Sequence, residues 1–381
     1  LGHITLKKNT DIEALRAIGI LFVLFAHIHE LFPWWNPVFA RVYRYLDFWT
    51  GVDLFFCVSG FIITRSILRE VPEGGGWRAF VSFAVPFWVR RVWRLLPSAW
   101  FWLCFILAAS VLFNEGGYFG APGRNFVYQV YSMLNMANFY GYYCKLNGAC
   151  GANQVYWSLS LEEQFYLVFP VLLFLVPRRF WAALFLGIAA IQLPLDRGGS
   201  LLGFVRTDAI ALGVVVALWK DHPSYRMLEP VFLGNRAKVL GSTALLALLL
   251  AALGASGVVA VPMSTGMVAV LSAAMVFLAS FDRGYIVPRG WVAAVAEYVG
   301  SRSYALYLSH IPAFFVTKEL WLRFSDASTK FDSTDTLRFL ATGLPMMLLF
   351  AELSYRLIEV PFRNRGRAIA PDIQARMQAA T

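Results

Sequence analysis

Apolar residues fall along this chain in blocks about 17 to 25 residues long, separated by short stretches that carry charges, glycines and prolines. A helix rises 1.5 Å per residue, so about 20 such residues cross roughly 30 Å of hydrocarbon. The strict apolar–polar alternation of a membrane barrel is absent, and helices are the predicted element. Blocks and breaks together predict about ten spans, at roughly 14–32, 47–64, 95–113, 156–176, 180–195, 200–219, 239–257, 262–281, 303–324 and 337–358. The predicted fold class is an all-α integral membrane protein, one domain over 1–381 with a core of about 11–362 and a basic cytoplasmic tail at 363–381.

Composition strengthens this reading. Apolar residues make up 59% of the chain and charged ones 15%, more apolar surface than a water-soluble core can use. The formal charge of +10 does not point to nucleic acid, because the basic residues scatter between apolar blocks. They set topology instead. With the N-terminus inside, about 23 of the 33 Lys and Arg lie on the inner side, from Lys7 and Lys8 to Arg363, Arg365, Arg367 and Arg376. Both termini are therefore predicted inside, in a multi-pass protein of the plasma (inner) membrane. The longest loop, 114–155, then lies outside with Cys144 and Cys150, which either close a small disulfide or stay free thiols. Pro72–Gly76 reads as an inner turn and Trp77–Trp93 as an aromatic-rich helix near the interface. The first block lacks a cleavage-site pattern and reads as a retained span.

Ionisable groups within spans are costly, so each is a functional candidate. The inner layer is basic: Arg16 opens the first span, Arg65 closes the second, and Arg90, Arg91 and Arg94 start the third. Arg91 and Arg94 lie on neighbouring helix faces, and the planar fork of arginine suits phosphate; ordinary inner flanking charge is the competing reading. The deeper layer mixes acids and bases: His27, Asp53, Glu162, Glu163, Arg206, Asp208 and His310. His27 follows Arg16 by about three turns, so both leave one face about 16 Å apart, a span that suits a charged head with an extended arm. A histidine among carboxylates at one depth points to proton transfer, with helix–helix hydrogen bonding as the plainer alternative. His3, His29, Glu30 and His222 read as solvated, and Gly60 and Gly213 as points of close helix approach. No metal-ligand cluster, phosphate-binding glycine loop or nucleophile elbow is evident.

Seven of these segments, in order, resemble the acyltransferase-3 family. They are Asp11-Ile-Glu-Ala-Leu-Arg16 with His27; Gly51-Val-Asp53-Leu-Phe-Phe-Cys-Val-Ser59-Gly60; Arg91-Val-Trp-Arg94-Leu-Leu-Pro97; Trp157-Ser-Leu-Ser-Leu-Glu162-Glu163-Gln-Phe-Tyr166; Arg206-Thr-Asp208 with Gly213; Ser303-Tyr-Ala-Leu-Tyr-Leu-Ser-His310-Ile-Pro312; and Ile358-Glu359-Val-Pro361. Val360 stands where the family often carries Arg or Lys. The resemblance implies transfer of an acyl group, commonly acetyl from acetyl-CoA, to a hydroxyl. It implies Arg16, Arg91 and Arg94, with Arg65 and Arg90, as donor-binding residues and His27 as base, oriented by Glu162 or Asp53. Trp157, Glu163, Tyr166, Arg206, Asp208 and His310 are supporting residues, and no metal is required.

The expected acceptor is a glycan at the cell surface or on a lipid carrier, with a macrolide or other secreted small molecule as the alternative. Some family members carry a further soluble domain, and the length of this sequence suggests a stand-alone enzyme. A proton-coupled transporter is the rival from another class, since buried carboxylates and histidines also build proton relays. Such a protein would move substrate without consuming thioester.

Overall fold

The computed structural model describes residues 8–72, 74, 76–197, 199–258, 261–326 and 329–379; His3 and Lys7 lie outside them. The described residues form helices and no strands. In chain order these are α1 (Thr10–His27), prolonged by a 3-10 turn at Ile28–Leu31, α2 (Pro37–Tyr45), α3 (Gly51–Ile67), α4 (Gly76–Leu112), α5 (Pro122–Met133) and α6 (Ala137–Leu146). There follow α7 (Tyr156–Leu175), α8 (Trp181–Gln192), α9 (Leu201–Phe204), α10 (Asp208–Trp219), α11 (Pro223–Met227) and α12 (Arg236–Gly254). The chain closes with α13 (Ser264–Ser280), α14 (Trp291–Ser301), α15 (Ser303–Arg323), α16 (Thr336–Ser354) and α17 (Val360–Ala379), a π turn at Tyr355–Glu359 joining the last two.

Among the described residues, five helices are long and apolar enough to cross a membrane: Thr10–Leu31, Gly76–Leu112, Tyr156–Leu175, Arg236–Gly254 and the continuous stretch Ser333–Met377. The other expected spans are helical but fall short for physical reasons. Helices α8 and α10 have 12 residues each, and α3 and α13 have 17 each. The hydropathy of α15 is lowered by His310, Lys318 and Glu319.

Three boundaries differ from the reading of the sequence. Trp77–Trp93 is no separate interfacial helix, because α4 runs unbroken for 37 residues, about 55 Å, through Pro86 and Pro97. Each proline removes one ladder hydrogen bond without ending the helix. The stretch 200–219 is split by Val205–Thr207 into α9 and α10. The loop 114–155 contains α5 and α6, and a Cys144–Cys150 disulfide with a Cα–Cα distance of 4.8 Å ties the last turn of α6 to the segment after it.

Sequence chemistry fixes how the central helices meet. The Asn9 side chain caps α1 by accepting from the Ile12 amide, and Asp11 accepts the backbone N–H groups of Gly284, Tyr285, Ile286 and Val287 at 2.8 to 3.3 Å. The start of α1 is thereby pinned to the segment before α14. Helices α3 and α10 touch backbone to backbone: a Cβ on Gly60 would lie 2.2 Å from the Ile210 carbonyl oxygen, and one on Gly213 would lie 2.1 Å from that of Cys57. Helix α15 is buried on all sides from Ala305 to Phe315, which sets it at the centre of the bundle.

Candidate active site

Helices α1, α3, α4, α7 and α15 line a cavity, open on one side, near the end of the bundle where α1 begins. Arg16, Arg91 and Arg94 line it together with Ser59, Glu162, Tyr166, Tyr304 and Tyr307. The carboxylate of Glu162 accepts short hydrogen bonds from the Ser59 hydroxyl and the Tyr166 phenol. Arg91 lies over the rings of Phe87 and Tyr166 at 5.4 and 5.6 Å, and its buried Nε has no partner. Arg16 bonds both Glu13 oxygens, at 3.1 and 3.2 Å, whereas neither Arg91 nor Arg94 has a carboxylate within ion-pair distance among the described residues. Arg91 Nη2 also donates to the Ser66 hydroxyl at 3.5 Å; guanidinium groups without a carboxylate partner beside a cavity have the chemistry to take an anion.

Beyond this cavity along α15, the Tyr307 hydroxyl bonds to Ser158 at 2.6 Å and to the Val155 carbonyl at 2.9 Å. Its ring stands 6.1 Å from that of His310, and His310 stands 5.1 Å from His27. His27 Nδ1 lies 2.8 Å from the Val23 carbonyl oxygen, and His310 Nδ1 lies 3.2 Å from that of Leu306. A carbonyl only accepts, so each Nδ1 carries the hydrogen and each neutral ring keeps Nε2 as its base. The Nε2 of His310 is buried without a partner.

The carboxylates expected to orient His27 are engaged elsewhere. Glu162 is held by Ser59 and Tyr166, and Asp53 accepts from Arg206 Nε and Nη2 at 2.9 and 2.8 Å. A backbone carbonyl one turn earlier orients each imidazole instead. The Asp53–Arg206 pair sits near the opposite end of the bundle, with the Arg206 guanidinium 5.1 Å from the Trp49 ring and 4.8 Å from that of Trp157. Beside it, Asp208 pairs with Arg197 at 2.7 Å. Trp157 and Arg206 line a second cavity with Trp49, Lys145 and Asp196, so they do not meet the first one.

Two of the expected donor-binding arginines also point away. Arg65 pairs with Asp221 at 2.6 Å, and Arg90 pairs with Glu70 at 3.0 Å. Glu163 faces a neighbouring pocket with Trp88, Asn135 and the far side of Arg91. Reading of the sequence passed over Lys318 and Glu319, both buried in α15. The Lys318 ammonium lies 4.6 and 4.5 Å from the Tyr118 and Phe315 rings, and Glu319 accepts the Gly116 amide at 3.1 Å. A Lys-Glu pair inside an apolar block was the signal for them.

The class to which this all-helical, arginine- and histidine-bearing bundle belongs is given by comparison with known proteins. A family model described as an acyltransferase domain matches residues 9–356, and the chain belongs to this acyltransferase-3 family. A Staphylococcus aureus (strain MSSA476) protein named "Putative O-acetyltransferase" is 25% identical over 387 residues, covering 95% of this chain and 58% of that protein. The peptidoglycan O-acetyltransferase of Listeria monocytogenes is 24% identical over 392 residues, covering 94% of this chain and 56% of that protein. A Bacillus subtilis protein named "Putative peptidoglycan O-acetyltransferase" is 31% identical over 167 residues, 42% of this chain and 23% of its own length. The chain thus spans less than two thirds of these relatives, and no solved structure matches it.

Proposed function

We propose that this chain is a membrane O-acyltransferase that takes an acyl group, acetyl foremost, from acyl-CoA and delivers it to a hydroxyl of a cell-surface or lipid-linked glycan. One observation carries the reading: an arginine-lined cavity is bounded by Tyr307, whose ring stands 6.1 Å from that of His310 and so beside the His310–His27 pair, in which each Nδ1 is engaged by a backbone carbonyl and Nε2 is left as the base. Family membership and the names of the relatives support O-acetyl transfer, and two of those names support a peptidoglycan-type acceptor.

In this reading the chain crosses the plasma membrane about ten times with both termini in the cytosol, and the arginine cavity opens inward. The phosphates of acyl-CoA are held by Arg91, Arg94 and Arg16, and the pantetheine arm lies along α1 toward His27. The acceptor hydroxyl attacks the thioester carbonyl while His27 Nε2 takes its proton; the C–S bond breaks and CoA leaves as the thiolate, which the proton then neutralises. The Val23 carbonyl stabilises the imidazolium by accepting from Nδ1.

The test is purified protein in detergent with radiolabelled acetyl-CoA and a glycan acceptor. Label moves to the acceptor with the wild-type protein and not with His27→Ala. Full transfer by His27→Ala refutes the assignment of the base. A single-turnover reaction without acceptor separates direct transfer from an acyl-histidine route, since label fixed on His27 appears only in the latter.

A further inference from the structure

The basic residues of α17 form the largest group of charges that the site described above leaves unused. This helix lies beyond residue 356, outside the region matched by the family model, and it carries Arg363, Arg365, Arg367 and Arg376. It is no loose tail. Helix α17 packs along α4 so closely that a Cβ on Gly366 would lie 2.5 Å from the Trp93 Cβ. Phe362 stacks on Trp93 with ring centroids 5.8 Å apart, and the Arg365 guanidinium lies 5.4 Å from the same indole.

This contact brings the residues around Gly366 to the cavity arginines. Arg363 donates to Glu359 at 3.2 Å and keeps a buried Nε without a partner. Arg367 follows Gly366, which abuts Trp93, the residue before Arg94. The second oxygen of Glu359 is buried without a hydrogen-bond partner. Arg363 and Arg367 thus flank Gly366 on α17 beside Trp93 and Arg94 of α4, and the carboxylates paired with arginines here are Glu359 with Arg363 and Glu13 with Arg16. Like charges at such spacing repel, and an anion relieves the excess. Arg94 lines the cavity and follows Trp93, on which α17 packs, so the α17 arginines adjoin the cavity.

We propose that Arg363 and Arg367 bind a phosphate at the nucleotide end of the acyl-CoA donor, the ribose 3′-phosphate, with Arg94 shared between this subsite and the cavity. The inference rests on acyl-CoA being the donor. The chemistry of the ligand supplies the reason for choosing that phosphate: it is separated from the diphosphate by a ribose, so the molecule presents two anionic groups in succession. The protein likewise presents two arginine groups in succession, joined at Arg94. The headgroup of an anionic lipid offers the same phosphate chemistry and is separated from the nucleotide by the experiment.

Purified full-length chain is placed in nanodiscs of phosphatidylcholine alone, and the affinities of CoA and 3′-dephospho-CoA are measured for wild type, Arg363→Gln/Arg367→Gln and Arg363→Lys/Arg367→Lys. The wild type is expected to bind CoA about tenfold or more tightly than dephospho-CoA, the loss of one charge-assisted contact. The glutamine pair loses that discrimination while binding dephospho-CoA as the wild type does, which also shows that it is folded. The lysine pair retains most of it. Glutamine variants that keep the wild-type preference overturn the inference, as does an effect that appears only when anionic lipid is added to the discs. A wild type that binds neither form refutes acyl-CoA as donor, whereas equal binding of both forms refutes only the 3′-phosphate subsite.

Discussion

Arginines at the two ends of this bundle meet opposite fates. Near the opening of the second cavity, Arg206 and Arg197 are each locked to a buried aspartate, Asp53 and Asp208. Around the first cavity, Arg91 and Arg94 have no carboxylate partner among the described residues, and Arg91 holds a buried, unpartnered Nε. The Asp53–Arg206 pair, in which both carboxylate oxygens accept from the guanidinium, tethers α3 to the start of α10, whereas a guanidinium without a carboxylate partner has charge to offer an anion. The same residue type is thus paired with a buried aspartate at one end and without a carboxylate partner at the other.

That contrast can be broken or sharpened by substitution. The largest effect is expected between the two ends: His27→Ala lowers the transfer rate by about 10² to 10⁴-fold, the usual contribution of a general base, without changing the thermal midpoint. Next comes Asp53→Ala, which strands Arg206 and lowers stability by about 3 to 5 kcal/mol. Thermal unfolding in detergent measures this, and Asp53→Ala combined with Arg206→Met recovers much of the loss if the aspartate acts as the partner of Arg206. Arg91→Gln and Arg94→Gln are each expected to raise the KM for acyl-CoA about tenfold or more, equivalent to about 1.5 to 3 kcal/mol, with little change in the midpoint. The smallest effects belong to Arg65→Gln and Arg90→Gln. Their pairs with Asp221 and Glu70 are partly exposed, so each costs about 0 to 1 kcal/mol and leaves the KM within about twofold of wild type. A large KM effect at Arg65 or Arg90 would return them to the donor site.

Helical periodicity made part of this arrangement legible in the sequence. Arg16 and His27 share a face of α1 because their spacing is close to three turns, and Gly60 and Gly213 were readable as close-approach residues because apolar helices need small side chains to touch. Partner choice was not readable. Arg65, Arg90, Arg91 and Arg94 look alike in sequence, and only the fold brings Asp221 and Glu70 to the first two. The meeting of His27 with His310 is likewise tertiary, between residues 283 positions apart, and the orienting carbonyls of Val23 and Leu306 leave no mark because every helix residue has such a carbonyl one turn back. Hydropathy alone makes 363–381 a polar tail, although the structure carries it in α17. Proline is tolerated in a first helical turn, and packing on α4 through Gly366 supplies what hydropathy does not.

The most direct measurement is equilibrium binding of CoA to purified wild type, Arg91→Gln/Arg94→Gln and Asp53→Ala/Arg206→Met, with the thermal midpoint recorded on the same samples. Wild type and the Asp53/Arg206 variant are expected to bind CoA alike, while the Arg91/Arg94 variant binds about a hundredfold more weakly at an unchanged midpoint. Undiminished CoA binding by the Arg91/Arg94 variant would contradict the assignment of the free arginines to the donor.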